Sequence, residues 1–134
     1  MELVLVAPLL IAMFLFVVGL GRLGTSREAV DGAARDGARE ASIARTSGTA
    51  QSTAEQVVTD TLAEKRVSCS NMQVNVDFGA DAQLTPGGAV HVHVDCTVDN
   101  SDALLSGLPG SSTLHGDFVA PVDRYRGVHA DATQ

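Results

Sequence analysis

From Leu3 to Gly21 the chain carries no charged side chain, and that stretch of 19 residues constrains everything behind it. As a helix it is about 28 Å long, close to the hydrocarbon thickness of a bilayer. Glu2 stands at its front. A carboxylate beside lipid is costly and calls for a partner. A secretory signal peptide fits poorly. The front has no Lys or Arg, the run is long, and Gly19-Leu20-Gly21-Arg22-Leu23 contains no small-residue cleavage pattern. A buried core helix fits worse, because a helix apolar all round needs a large protein around it. Pro8 lies inside the run, where a transmembrane helix tolerates it better than a helix in water does.

Residues 1–22 therefore read as a transmembrane segment, leaving one small domain's worth of chain. Acids and bases balance between Arg22 and Arg66. Beyond Val67, eight Asp face only Arg124 and Arg126. An acidic distal half argues against nucleic acid as a partner and suits a solvated surface. Lys65 is the only lysine beside eight arginines in an Ala-, Gly- and Asp-rich chain, a bias typical of a high-GC bacterial genome.

The helical character continues past the anchor. Ala29, Val30, Ala33, Ala34, Ala38, Ala41 and Ala44 recur at helical spacing, with mixed charges between them giving some i,i+4 support, as for Asp31 and Arg35. One extended helix over about Leu3 to Arg45 is expected. Its small face suits close packing. Residues 23–49 hold its continuation and a break at Thr46-Ser47-Gly48-Thr49. A second helix follows, with Ser52 and Glu55 as a capping box and Val57, Val58 and Leu62 as its apolar stripe, ending near Arg66.

The distal half alternates. Met72, Val74, Val76 and Phe78 share one face of a first strand, Val90, Val92, Val94, Cys96 and Val98 one face of a second, and Leu114, Phe118, Ala120 and Val122 one face of a third. Such alternation means one buried and one wet face, with the second helix as the natural cover. Pro86-Gly87-Gly88 reads as a turn and Ala103 to Gly110 as an apolar loop or short helical turn. The fold class is α+β: a long N-terminal transmembrane helix, a short second helix and a small antiparallel sheet of about three strands. Residues 50–126 form the head and 127–134 a frayed tail.

Cys69 and Cys96, an even pair beyond an anchor, are expected to form one disulfide in an oxidising compartment, two buried thiols being the alternative. On the wet face His91 and His93 point the same way, with His115, Asp95 and Asp117 as potential neighbours. Together they could bind zinc in a metal-dependent enzyme, but no spacing matches a known ligand signature, and a wet sheet face decorated with His and Asp explains them as well. There is no phosphate loop, nucleophile elbow or HExxH. The expectation is no catalytic residue, metal, cofactor or small-molecule substrate.

Glu2, the apolar Leu3-Val4-Leu5-Val6-Ala7, Pro8 six residues after the acid, and Asp31-Gly32-Ala33-Ala34-Arg35-Asp36-Gly37-Ala38-Arg39 resemble the TadE-like family of pilins and pseudopilins. The resemblance implies a subunit of a tight-adherence (Flp/Tad) pilus system. Family members are made with a short leader ending in Gly, cut on the cytoplasmic side, and their acid lies fifth after the cut. That acid is held to pair with the N-terminal amine of a neighbouring subunit, a pairing that suits a carboxylate in lipid. Glu2 and Pro8 are the assembly residues so implied. Here Glu2 is second, with no leader Gly before it, so the chain is expected to be truncated at its front.

The expected partners are other pilin subunits, the pilus assembly machinery and the membrane. The expected location is the bacterial cell membrane, single-pass, with an extracytoplasmic C-terminal domain, or an extracellular pilus. Arg22 and Arg27 point the other way by the positive-inside rule, whereas the cysteine pair agrees. A single-span membrane-anchored extracytoplasmic binding module is the alternative function.

Overall fold

The computed structural model describes residues 2–80, 83–99 and 110–125, with the side chains of 2–5, 22 and 23 outside it. Helix α1 runs unbroken from Glu2 to Ile43 and contains Pro8. Helix α2 spans Ser47–Glu64. Strands β1 (Asn71–Asp77), β2 (Ala89–Asp99) and β3 (Ser111–Pro121) form one antiparallel sheet in the order β1-β2-β3. This is the α+β architecture expected from the alternating and helical periodicities. The apolar stretch expected over 103–110 falls, apart from Gly110, outside the described residues, as does the 127–134 tail.

Two local expectations are corrected. Thr46, not Ser52, caps α2. Its backbone is extended and its side chain accepts a hydrogen bond from the Thr49 N–H at 3.2 Å. Ser47 and Gly48, read as part of a break, already lie in the first turn. Ser52 sits inside the helix and donates back to the Thr49 carbonyl, and Glu55 accepts from the Gln51 amide. A hydroxyl caps only where its own backbone is non-helical, and that position is Thr46. Among the described residues, Asp31 and Arg35 also form no ion pair. The Arg35 guanidinium lies 5.1 Å from the Phe118 ring centroid, an interaction that ties α1 to β3.

The core lies between the helices and one sheet face. Ala33, Ala34, Ala38 and Ala41 of α1 meet Ala50, Ala54, Val58 and Leu62 of α2, above Val90, Val92, Val94, Cys96 and Leu114 of the sheet. The sheet is covered by both helices and not by α2 alone, with α1 over β3 and β2 and α2 against β1. The register opposes Val74 to Val94 and Val92 to Phe118, so every second residue of each strand faces the helices. The turn before β2 is closed by Gly88 N–H donating to the Thr85 carbonyl, with Pro86 leading and Gly87 at φ 79°, the backbone of a type II turn.

Small side chains let α1 come this close. A Cβ placed on Gly116 of β3 would lie 2.8 Å from the Val30 carbonyl oxygen, a backbone atom that cannot turn aside. Val30 is itself fully buried. The contact thus sets helix backbone directly against strand backbone.

Cys69 and Cys96 are joined in a disulfide with Cα atoms 5.3 Å apart. The bond fastens the connector leaving α2 to the middle strand at Cys96, which is fully buried. Ser70 supports the same junction, its N–H and hydroxyl both donating to the Thr97 carbonyl. The closed loop includes all of β1, an edge strand.

Two outcomes follow for urea unfolding of the detergent-solubilised chain. Gly116→Ala, forced against Val30, lowers stability by about 1–3 kcal/mol, whereas Gly24→Ala, with open space around it, raises it by about 0.5–1 kcal/mol. Replacing both cysteines by Ala costs about 3–4 kcal/mol in the chain-entropy picture, and adding reductant to the native chain has a comparable effect.

Candidate assembly surface

Chemistry is distributed unevenly over this molecule. The N-terminal half of α1 leaves the head as a lone helix. Leu9, Ile11, Met13, Phe14 and Phe16 are each more than half exposed and point around its whole circumference. No water-facing helix is built this way, since each such side chain gains about 1.5–3 kcal/mol by leaving water. The helix is long and apolar enough to cross a membrane. From Ala29 onward the same helix changes partner and buries its small face in the head. One continuous element therefore has two characters, an exposed apolar half fit to span a membrane and a half packed into the protein core.

Glu2 begins α1, and its side chain lies outside the described residues. Pro8 follows about 9 Å further along the axis and leaves the helix unbroken. Proline lacks an N–H, so one carbonyl in the preceding turn loses its helical partner. In a membrane such a carbonyl needs a donor from elsewhere.

The opposite face of the sheet carries the polar side chains. His93 and Asp117 are register partners across β2 and β3, as are Asp95 and His115. The Nδ1 of His93 hydrogen-bonds the Asp117 carboxylate, and the Nδ1 of His115 lies 2.5 Å from the Asp95 carboxylate. The two pairs run in opposite senses, so each His also neighbours the other pair's acid along its own strand. All four side chains are about half exposed or more, where such pairs contribute about 0–1 kcal/mol. His91 lies outside this arrangement, opposite Asp77 and Val119. His93 also borders a shallow depression with Asn75, Asp77 and Phe78. No group of three His, Cys, Asp or Glu that could hold a metal ion occurs among the described residues.

Sequence reasoning grouped these histidines but missed their pairing with Asp. The signal was present in the shared order of His93-x-Asp95 and His115-x-Asp117, which only the antiparallel register turns into complementary neighbours.

Comparison with known proteins adds one finding. No curated protein and no solved structure matches the chain. A family model described as TadE-like protein matches residues 1–39, from the front of the apolar run to the Ala/Arg segment of α1. The match covers nearly all of α1 and stops before α2 and the sheet.

Proposed function

We propose that this chain is a minor pilin or pseudopilin of a Tad-type assembly, a structural and non-enzymatic subunit that joins others through its N-terminal helix. A front that matches the TadE-like family model and one helix fit to span a bilayer suggest a Tad pilus-related membrane protein. The observation that carries this reading is the division of α1. Among the described side chains, its first half is apolar on all sides and exposed, while its second half is locked into the core. Such a helix can pass from lipid into a bundle of like helices without disturbing the head.

In that bundle Glu2 is the element of specificity. Burying a lone carboxylate costs far more than burying one beside an ammonium, so register between neighbours is set by pairing this acid with an N-terminal amine. The head lies on the extracytoplasmic side. The Cys69–Cys96 bond supports this sidedness, because disulfides persist in oxidising compartments. Arg22 and Arg27 oppose it by the positive-inside rule, and Glu28 and Asp31 just beyond them offset that bias only weakly.

Glu2→Ala leaves the protein in the membrane and the head folded, but reduces its co-purification with the other pilin subunits by tenfold or more, about 1.4 kcal/mol or above. Unchanged co-purification would end the pairing role and favour an anchored binding module. Sidedness is read separately. In spheroplasts treated with reductant, Cys69 and Cys96 react with a membrane-impermeant maleimide, and labelling confined to lysed cells would reverse the topology.

A further inference from the structure

Lys65 and Arg66 lie where α2 ends, and the direction of α2 decides which way they face. Gly37 of α1 lies opposite Val58 and Ala54, and Gly32 opposite Lys65. As residue numbers rise along α2 they fall along α1, so α2 runs back toward the membrane-spanning half. Its C-terminus belongs to the end of the head nearest the bilayer. Gly32 is eleven residues beyond Gly21, the last of the uncharged run, or about 16 Å along the axis. A headgroup layer of about 5–7 Å fills part of that distance. The remainder is about 10 Å, one Debye length at 0.1 M salt, before side-chain reach or helix tilt shortens it.

Two further observations concern the residues themselves. The end of α2 is a Schellman motif, with Arg66 N–H donating to the Ala63 carbonyl and Val67 N–H to the Leu62 carbonyl. The motif requires a left-handed residue at the position Arg66 occupies, and its φ is 57°. It is the only non-glycine residue with positive φ among the described residues. Glycine fits there without cost, whereas an arginine is strained, so the backbone gives no reason for arginine. Both side chains are exposed, and neither takes part in an ion pair or side-chain hydrogen bond among the described residues. Glu28, Asp31 and Glu64 share this end of the head, so its field is close to neutral overall. Any anion held here is held by direct contact with the two cations.

We propose that Lys65 and Arg66 form a headgroup-binding step, seating the head on the phosphates of the bilayer that α1 crosses. The inference rests on the membrane-spanning reading of α1. The contact holds the head at a fixed height and rotation about α1, which presents the His/Asp face of the sheet away from α1 in one direction. Release of the contact accompanies departure of the subunit from the bilayer.

The test uses the full chain, one copy per nanodisc of phosphatidylethanolamine and phosphatidylglycerol at three to one, with a small fraction of gadolinium-chelating headgroup lipid. Amide relaxation is read by NMR. Broadening of amides around Gly21 shows that the anchor is inserted, and its absence would overturn the membrane reading itself. With the anchor inserted, the native chain shows broadening at Val67, Ser68 and Ser70. The Lys65→Gln/Arg66→Gly variant, which keeps the Schellman backbone and relieves its strain, loses that contact about fivefold or more. Arg66→Lys with Lys65 intact retains most of it. Equal broadening in the native chain and the double variant would overturn the proposal, as would broadening absent from both. A single copy per disc removes a neighbouring chain's carboxylates as an alternative partner.

Discussion

The approach of α1 to β3 governs the head. Where Val30 meets Gly116, helix backbone and strand backbone touch with no side chain between them. The small face of Ala33, Ala34, Ala38 and Ala41 continues that closeness against α2 and the sheet. A helix with leucines on this face would stand further off and offer each neighbour more apolar area. Alanines offer little area per residue, about 25 cal/mol for each Å² buried, but they bring the main chains into dispersion contact along several turns. The consequence is a head whose position on the helix is sharply defined. A ridge of small residues admits few alternative registers once Gly116 has fixed one point, and Arg35 over Phe118 fixes a second.

That definition matters because α1 has no independent reason to stay straight beyond the head. Its first half is exposed among the described residues, contains Pro8, and is followed by Gly19, Gly21 and Gly24. Helices of this kind are held by surroundings and not by propensity. The chain therefore combines a packed C-terminal seat with an N-terminal arm whose conformation depends on its surroundings. The disulfide acts at the same junction from the other side. By tying the connector after α2 to the centre of the sheet, it prevents the edge strand β1 from separating α2 from the core.

Much of this was legible in the residues. Period-2 alternation located all three strands, because each has one face against helices and one in water. The 3.6-residue recurrence of alanine located α1 beyond the anchor. What sequence missed were choices among near-equivalent groups. Thr46 and Ser52 are both hydroxyls that could begin a helix, and the decision fell to which could hold an extended backbone as the chain leaves α1. Asp31 and Arg35 have the spacing of an ion pair, but Phe118, remote in sequence, supplies Arg35 with a less hydrated partner. The pairing of His93 with Asp117 and of Asp95 with His115 depends on strand register, which the alternation alone leaves open by two residues in either direction.

The same logic separates the two ends of the head. At the far end, α1 turns into α2 and the Pro86-Gly87 turn closes the sheet, each satisfied locally by a cap or a turn hydrogen bond. At the near end, the Schellman closure of α2 satisfies its backbone while leaving two cations without an ion-pair partner among the described residues. A chain that can stop a helix with glycine and stops it with arginine accepts a cost in backbone strain that no ion pair or side-chain hydrogen bond among the described residues repays. The return for that strain lies outside the fold, in the direction the anchor points.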